Sequence, residues 1–352
     1  MFNLASLVRT NIRNLVPYST ARDEFKGKAH VFLDANENSL GSPFAKWYNR
    51  YPDPHHDKIK AKISAIKSIP AENIFIGNGS DEVIDLLYRV FCDPGGDEAI
   101  IFPPTYGMYE VSAQINNVHV VKVPLLTNFQ LDLEKLEHVI TPVTKIIWIC
   151  SPNNPTGNSI ERTDIEMLLN NFDGIVVIDE AYINFSRQRS FLSELNEYPN
   201  LVIMQTLSKA WGLAGIRLGM AFASKEIISY LNKTKPPYNI SQPVQDIALQ
   251  ALDEVGQVND MIVELVKYRM ELEQSLLELP IVDKVFPSDA NFLLVKCKHA
   301  HALYAYLVTK GIVVRDRSNV RLCEDCIRIT VGTQSENSEL LSAIASFQVQ
   351  SI

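Results

Sequence analysis

The 352-residue chain lacks the features that would place it in a membrane, on a nucleic acid or in an oxidising compartment. No apolar run approaches the ~20 residues that a bilayer-spanning helix needs, so we expect no membrane contact. The formal net charge is −8 and no basic stretch opposes it, which disfavours nucleic acid as a partner. Five cysteines do not suit a disulfide scaffold in a chain of this size, which indicates a reducing, cytoplasmic compartment.

Acidic residues are absent from the first 22 positions, which contain Arg9, Arg13 and Arg22 among serines and threonines. This composition superficially resembles a transit peptide. Neither an apolar core nor a small-residue cleavage site follows, so we do not expect a secretory signal peptide.

Two common glycine-rich nucleotide-binding patterns are also missing. The chain has no G-x-x-x-x-G-K stretch, and in "GNGSDE" (77–82) Glu82 occupies the third glycine position of a dinucleotide fingerprint. A nicotinamide-dependent oxidoreductase is therefore disfavoured. The same turn opens a predicted helix, whose free N–H groups favour an anion such as phosphate, but a plain helix cap by Ser80 or Asp81 explains the pattern equally well.

What the chain does contain is an alternation of short apolar runs and amphipathic stretches. Val- and Ile-rich runs such as "NIFIG", "KIIWIC" and "LVIMQT" are separated by helical patterns such as "DEVIDLLYRVF". Because both faces of these runs are apolar, we expect a mostly parallel sheet buried between helix layers. After a proline-rich hinge near 236–243, a long helical pattern broken near Gly256 leads into short strands, which predicts a smaller α+β domain.

Polar residues follow several of these predicted strands, at the edge where open α/β sheets bind ligands. Lys209 follows an apolar run that predicts its burial, although a buried ammonium is costly unless paired or neutralised. A desolvated lysine is the usual source of a Schiff-base amine. Asp179 follows another apolar run, where a helix cap is the simpler explanation. An amine, a carboxylate, a phosphate-binding turn and Arg217 together suit pyridoxal phosphate, an aldehyde with a ring nitrogen and a phosphate.

Three motifs in this order resemble those of the fold-type I aminotransferases: "SPNNPTG" (151–157), "DEAY" (179–182) and "TLSKAWGLAGIRLG" (206–219). Further stretches are similar to the histidinol-phosphate aminotransferase family, namely "NLVPYSTARDE", "LDANENSLG", "RYPDP", "PPTYGMY", "VVRDR" and "IRITVGT". The first of these lies at 14–24, so the N-terminus is expected to belong to the working protein, which removes most of the transit-peptide interpretation.

The resemblance implies a fold and an assembly. The fold is α/β, with a large domain built on a mostly parallel seven-stranded sheet and a smaller α+β C-terminal domain. The expected division is an N-terminal segment near the active site (1–45), a cofactor-binding domain (46–240) and a small domain (241–352). The expected assembly is a homodimer with shared active sites.

The resemblance also implies residue roles. Lys209 would bind pyridoxal phosphate as a Schiff base and move a proton, Asp179 would keep the ring nitrogen protonated, and Tyr182 would bond the ring oxygen; these three form the catalytic set. Arg328 and Arg315 would hold the substrate's carboxylate or phosphate. The implied cofactor-binding set is Ser80, Asp81, Tyr106, Asn154, Asp179, Tyr182, Ser208, Lys209, Arg217 and, from the neighbouring subunit, Tyr51; the substrate-binding set is Tyr18, Asn36, Arg315 and Arg328.

The implied reaction converts L-histidinol phosphate and 2-oxoglutarate to imidazole acetol phosphate and L-glutamate, reversibly and by a ping-pong route, in histidine biosynthesis. An aromatic-amino-acid aminotransferase or a phosphothreonine-type decarboxylase of the same fold is the alternative. A ligand-sensing domain of a regulator would need a DNA-binding extension, for which the pattern leaves no residues.

Several features have simpler explanations than a functional role. Arg315 could pair with Asp316 or another surface carboxylate, and Tyr51 could be a turn tyrosine packed under Pro52 and Pro54. The C-x-x-C pair, Cys323 and Cys326, has no second pair beside it, so a zinc site is not expected. Four histidines are expected to lie at the surface and not to bind a metal: His55, His56, His299 and His301.

Overall fold

The computed structural model describes residues 2–21 and 30–348. The motif at 14–24 is therefore described only in part, because Arg22 and the two residues after it lie outside these ranges. Within the described ranges, no helix is both long and apolar enough to cross a membrane.

Seven strands form the larger sheet. In chain order they are β1 (Ile74–Asn78), β2 (Glu98–Ile101), β3 (His119–Lys122), β4 (Thr144–Cys150), β5 (Ile175–Asp179), β6 (Leu201–Thr206) and β7 (Leu218–Ala223). Their spatial order is β1-β7-β6-β5-β4-β2-β3. Strands β2 to β6 run parallel, and β7 is antiparallel to both of its neighbours. The predicted seven-stranded, mostly parallel sheet is confirmed.

The direction of β7 follows from its short connection to β6. Residues 207–217 contain one 3₁₀ turn, Ala214–Ile216, and parallel neighbours need a crossover of about a dozen residues or more, usually a helix. The chain therefore turns back, and β7 begins at the edge where β4, β5 and β6 end. This reversal brings Arg217 to that edge.

Both faces of the sheet are covered, which explains why its strands are apolar on both sides. In β4, Ile147 and Ile149 belong to one buried cluster while Ile146 and Trp148 belong to the other, as the two-residue period of a strand requires. The helices in chain order are α1 (Leu4–Leu7), α2 (Thr10–Arg13), α3 (Asp57–Lys67), α4 (Gly79–Phe91), α5 (Met108–Ile115), α6 (Leu133–Val139), α7 (Arg162–Asn171), α8 (Lys225–Thr234), α9 (Gln242–Ala251), α10 (Val255–Leu277), α11 (Ala300–Thr309) and α12 (Gln334–Ala345).

A second, antiparallel sheet lies in the C-terminal part of the chain. Its strands are β8 (Val282–Val285), β9 (Phe292–Cys297), β10 (Arg315–Asp316) and β11 (Cys326–Thr330), in the order β10-β11-β9-β8. A third buried cluster joins its strands to helices α10, α11 and α12. The predicted smaller α+β unit is confirmed.

The long helical pattern after the hinge is broken slightly earlier than predicted. Helix α9 ends at Ala251 and α10 begins at Val255, so Gly256 lies in the first turn of α10. Helix α9 packs against α3, and the Gln245 side chain donates to the Asp53 carbonyl at 3.0 Å. The domain boundary at residue 240 stays a prediction.

The N-terminal helices α1 and α2 pack on the larger sheet's helix layer. Val8 and Ile12 are buried with the cluster that contains α4 and α8. The Arg9 guanidinium donates to the Arg89 carbonyl at 3.0 Å and pairs with Asp93 at 3.1 Å. These contacts hold the α1–α2 region, at the start of the N-terminal segment, against α4.

Candidate active site

A cavity of about 580 Å³ opens where β4, β5 and β6 end. Cys150, Asp179 and Thr206, the last residues of these three strands, all line it. Most of the predicted site residues line it as well: Ser80, Asp81, Tyr106, Asn154, Asp179, Tyr182, Ser208, Lys209, Arg217, Arg315 and Arg328.

Lys209 lies in this cavity, three residues after β6. The expectation that the apolar run before it buries the lysine is wrong, because the side chain faces the open cavity and is exposed. Its pKa is nevertheless lowered, first by partial desolvation and then by Arg328, while Asp179 acts in the opposite direction. A lowered pKa increases the share of neutral amine, the form that attacks a carbonyl carbon.

Asp179 is the last residue of β5 and is only 4% exposed. Its Oδ1 accepts from the Ala181 N–H at 3.0 Å, and its Oδ2 accepts from the Tyr109 hydroxyl at 2.7 Å. Burial raises the pKa of this carboxyl, and the hydrogen bond from Tyr109 is the largest opposing effect. No α-helix begins at this position. The simpler explanation, that Asp179 caps a helix, is therefore wrong.

Glu180, next in the chain, faces away into a buried hydrogen-bonded network. Its carboxylate accepts from Ser190 Oγ at 2.5 Å, from the Phe191 N–H at 2.8 Å and from Gln205 Nε2 at 2.9 Å. Consecutive residues of an extended strand point to opposite sides. Of the two adjacent carboxylates, therefore, only Asp179 reaches the cavity.

Asn154, Tyr182 and Arg328 form a connected group on another wall. The Asn154 side-chain amide lies 3.5 Å from the Tyr182 hydroxyl, and the Arg328 guanidinium donates to Asn154 Oδ1. Tyr182 also packs edge-on against Phe292, with ring centroids 5.1 Å apart. Asn154, one of the two residues predicted to bond a ring oxygen, thus contacts the arginine predicted to bind substrate.

The turn between β1 and α4 forms an anion cradle with Arg217. Helix α4 starts at Gly79, so Ser80 and Asp81 lie inside its first turn and are not its caps. Within the described part of the chain, their backbone N–H groups have no hydrogen-bond partner. The Arg217 guanidinium lies 3.4 Å from Ser208 Oγ and 3.5 Å from Asp81 Oδ2. N–H donors at a helix N-terminus beside a guanidinium are a typical phosphate site.

Glycine is required on both sides of this cradle. A Cβ at Gly79, where φ is +74°, would lie 2.7 Å from Arg217 Nη2, and one at Gly219 would lie 2.3 Å from the Ser80 nitrogen. Arg217 itself has φ +53°, a left-handed conformation that non-glycine residues rarely adopt. The Gly79 N–H donates to the Arg217 carbonyl at 2.8 Å, which ties this backbone to the turn.

Tyr106 stands between the cradle and Asp179. Its hydroxyl donates to Asp81 Oδ1 at 3.0 Å, and its ring packs edge-on against Tyr109 with centroids 5.6 Å apart. Burial and the nearby Asp81 carboxylate raise its pKa, so the hydroxyl stays protonated at neutral pH. An aromatic ring in this place can stack on a planar cofactor.

Three arginines on or next to the smaller sheet line the far side of the cavity. Arg315 on β10 pairs in register with Arg328 on β11, and Arg317 joins them in the lining. Asp316 bonds His301 Nδ1 at 2.7 Å, and no carboxylate in the described ranges forms an ion pair with any of the three arginines. The pairing of Arg315 with Asp316 is therefore not found.

Arg317 and Tyr109 are the residues that sequence reasoning missed. The "VVRDR" pattern contains the signal for Arg317, since residues two apart on a strand face the same side. Its Nε atom is buried without a partner among the described residues. Tyr109 stands in the "PPTYGMY" motif, but nothing in that motif indicates a contact with Asp179.

Three predicted site residues are not brought to the cavity. Tyr18 is 76% exposed. Asn36 and Tyr51 line a separate pocket of about 470 Å³, where Tyr51 stacks on Tyr238 with ring centroids 4.5 Å apart. The expected role of Tyr51 in a neighbouring subunit stays a prediction. A substrate contact by Tyr18 or Asn36 stays a prediction.

The cysteine and histidine expectations had mixed outcomes. Cys323 and Cys326 are free, buried thiols, and burial raises the pKa of each. His56 is 1% exposed, so the expectation of a surface histidine is wrong there. Burial beside Lys235 and Lys60 lowers the pKa of His56 to about 3. No cluster of His, Cys, Asp and Glu in the described residues could hold a metal ion.

The residues present fit pyridoxal phosphate. The amine of Lys209 can meet the aldehyde carbon, Asp179 can accept from the ring nitrogen, and the cradle of Ser80, Asp81 and Arg217 can take the phosphate. An open, mostly parallel α/β sheet with this site at its strand ends is the arrangement of a fold-type I pyridoxal-phosphate enzyme.

Comparisons with known proteins identify the family. The model of the aminotransferase class I and II family matches residues 43–344. A histidinol-phosphate aminotransferase of Parabacteroides distasonis is 54% identical over 349 residues, covering 99% of this chain and 100% of that protein. One of Cytophaga hutchinsonii is 52% identical over 346 residues, covering 98% and 99%. The crystal structure of the histidinol-phosphate aminotransferase from Clostridium acetobutylicum has a TM-score of 0.78 at 26% identity, covering 85% of this chain and 90% of that one.

The chain therefore belongs to the aminotransferase class I and II family. Members of this family depend on pyridoxal phosphate, and the chain is a pyridoxal-phosphate-dependent aminotransferase. The predicted resemblance, enzyme class and cofactor are confirmed.

Proposed function

We propose that the chain transfers an amino group between L-histidinol phosphate and 2-oxoglutarate, giving imidazole acetol phosphate and L-glutamate, as a step of histidine biosynthesis. The observation that carries this substrate choice is the convergence of Arg315, Arg317 and Arg328 on the cavity that holds Lys209. A substrate phosphate carries up to two charges and three accepting oxygens, more than one guanidinium fork can satisfy. Relatives of about half-identical sequence bear the name of the same activity.

Each residue has a defined task in this proposal. Bound pyridoxal phosphate supplies an electron-withdrawing ring that stabilises negative charge at the substrate Cα. Lys209 would hold the cofactor's carbonyl carbon and would move the proton at the substrate Cα, because its lowered pKa favours the neutral amine. Asp179 would keep the ring nitrogen protonated. Asn154 and Tyr182 would hold the ring oxygen.

The substrate would lie between Lys209 and the three arginines. Arg328 serves both substrates, because it can hold the carboxylate of glutamate or the phosphate of histidinol phosphate as a charged hydrogen-bond donor. Arg315 is needed chiefly for the phosphate. A phosphothreonine-type decarboxylase would use the same arginines, so product analysis must separate it from an aminotransferase.

Arg315→Ala should slow the half-reaction with histidinol phosphate far more than the half-reaction with glutamate. The variant loses one charged hydrogen bond of ~1.5–3 kcal/mol, so the half-reaction with histidinol phosphate should slow by about 10–150-fold. The half-reaction with glutamate, which brings only carboxylates, should change little. Single-turnover rates of the loaded enzyme with each substrate alone measure both effects.

Arg328→Ala is the matched control for that experiment. It should slow both half-reactions, because both substrates bind this arginine. Equal losses in the two half-reactions of Arg315→Ala would remove the phosphate role of Arg315.

A direct test of the substrate class compares histidinol phosphate with histidinol on the unmodified enzyme. The two compounds differ only in the phosphate, so the single-turnover rate at low concentration should fall steeply for histidinol. Similar rates for the two compounds would contradict the phosphate pocket and favour the aromatic aminotransferase alternative.

We further propose that the active enzyme is a homodimer in which Tyr51 reaches the cofactor phosphate of the neighbouring subunit. Tyr51 lies outside its own cavity, and the segment before it exposes large apolar side chains. Clustered apolar exposure of this kind marks interaction surfaces. The exposed residues are Val31, Leu33, Leu40, Phe44 and Trp47.

We also propose that the chain is divided into an N-terminal segment (1–45), a cofactor-binding domain (46–240) and a small domain (241–352), and that the enzyme is located in the cytoplasm.

Mixing two inactive variants tests the shared site. A hybrid of Tyr51→Ala and Lys209→Ala subunits contains one unmodified site, so activity should return after subunit exchange. A hybrid of Asp179→Asn and Lys209→Ala subunits is the control, because both changes damage the site of their own subunit and no intact site can form. Failure of the first pair despite demonstrated exchange would count against a site built across the dimer.

A further inference from the structure

The carboxylate of Asp179 is held by one hydroxyl group from outside the cavity. The Tyr109 hydroxyl donates to Asp179 Oδ2 at 2.7 Å, while the other oxygen accepts from the Ala181 N–H at 3.0 Å. Tyr109 does not line the cavity and has no solvent exposure. It lies in α5, an element separate in the chain from β5.

The ring of Tyr109 is fixed from two sides. It stacks on Trp148 of β4, with centroids 5.0 Å apart and an interplanar angle of 14°, and meets Tyr106 edge-on. A hydroxyl group fixed in this way stays aimed at one acceptor, which makes it suitable as a positioning group.

We propose that Tyr109 is a positioning residue that keeps Asp179 ionised, so that the shared proton lies on the cofactor's ring nitrogen and not on the aspartate. This inference rests on the proposed contact between Asp179 and the ring nitrogen. Tyr109 acts through Asp179 and touches neither cofactor nor substrate.

The physical reason is that burial alone pushes Asp179 towards its neutral form. Burial raises the pKa of Asp179, and a hydrogen bond donated to a carboxylate lowers it by favouring the charged form. Burial also raises the pKa of Tyr109 well above its ordinary value, so this hydroxyl remains a donor. The other ionisable groups that act on Asp179 or respond to its charge are Asp81, Tyr106, Cys150, Tyr182 and Lys209.

Without the Tyr109 hydroxyl, the proton shared by Asp179 and the ring nitrogen shifts towards Asp179. Asp179 Oδ2 then loses the donor it has in the described structure, and its affinity for a proton rises. The aspartate can then take the proton itself and leave the ring nitrogen neutral, so the ring withdraws electrons less strongly. Substrate binding should be unaffected because Tyr109 is not in the cavity wall.

The test compares Tyr109→Phe with Tyr88→Phe. Each removes one buried hydroxyl and keeps the ring. The Tyr88 hydroxyl donates to the Tyr109 backbone carbonyl, so its loss leaves the ring contacts of Tyr109 and the hydroxyl bond to Asp179 in place. Both variants are loaded with pyridoxal phosphate labelled with ¹⁵N in the ring, and the ¹⁵N chemical shift reports whether the ring nitrogen is protonated. Turnover and KM are measured on the same samples.

We expect the Tyr109→Phe signal to move towards that of a neutral ring, with turnover falling about 10-fold or more and KM unchanged, as loss of a hydrogen bond to a charged group predicts. The Tyr88→Phe signal should match the unmodified enzyme. An unmodified signal in Tyr109→Phe would overturn the inference.

Asp179→Asn, measured in parallel, separates this inference from the role on which it rests. If Asp179→Asn loses the protonated-ring signal and Tyr109→Phe keeps it, only the inference about Tyr109 fails. If Asp179→Asn also keeps the protonated-ring signal, the proposed contact of Asp179 fails and the role of Tyr109 fails with it.

Discussion

Lys209→Ala should lose nearly all turnover, by about 10²–10⁴-fold for the proton transfer alone. The lysine is the amine in a cavity that also contains Asp179 and the phosphate cradle. Partial desolvation and the nearby Arg328 lower its pKa, which favours the neutral amine that binds a carbonyl carbon. Alanine removes both the covalent attachment and the proton carrier, so no remaining side chain is expected to replace it.

Borohydride reduction followed by peptide mapping measures the attachment directly. The pyridoxyl group should lie on Lys209 in the unmodified enzyme and on no lysine in Lys209→Ala. Lys67→Met is a matched control, because burial also lowers the pKa of Lys67 but this lysine does not line the cavity. That variant should keep both the label and the activity. A label on Lys67 or another lysine would refute the assignment of Lys209.

Asp179→Asn should lower turnover by about 10²–10³-fold, the range seen when one preorganised electrostatic group is removed. Asparagine has nearly the same shape, but it lacks the negative charge that keeps a ring nitrogen protonated. The variant should still bind pyridoxal phosphate, since the cradle at Ser80 and Arg217 is unchanged. Turnover is compared at full cofactor occupancy, confirmed by absorbance.

Glu180→Gln is the control for that change. Glu180 is adjacent and equally buried, but its carboxylate serves Ser190, Phe191 and Gln205 and does not face the cavity. This control should lower thermal stability more than turnover. Near-normal turnover of fully loaded Asp179→Asn would contradict the role of Asp179.

The sequence predicts which residues meet at the centre of the cavity because these residues lie at or after the ends of strands. Asn154, Asp179 and Lys209 each follow an apolar run, and parallel strands bring their carboxyl ends to one sheet edge. These three residues are therefore expected to lie near one another, even before the order of the strands in the sheet is known. The roles of these residues come from the resemblance to aminotransferases, because neither composition nor spacing indicates them.

Contacts between elements distant in the chain could not be predicted. The bond from Tyr109 to Asp179 joins α5 to β5, and its existence depends on how α5 packs on β4. The exposure of Lys209 depends on a cavity shaped by loops and by the smaller sheet, so local hydrophobicity wrongly indicated burial. His56 is buried for a similar reason, since residues distant in the chain such as Lys235 surround it.

The proposed reaction transfers the amino group of a phosphorylated amino alcohol to a 2-oxo acid. The most direct measurement incubates the purified, cofactor-loaded enzyme with L-histidinol phosphate and 2-oxoglutarate and quantifies all products. We predict L-glutamate and imidazole acetol phosphate in equal amounts, with no carbon dioxide released from O-phosphothreonine under the same conditions. Absence of glutamate from histidinol phosphate, together with carbon dioxide from O-phosphothreonine or faster transfer from an aromatic amino acid, would contradict the account.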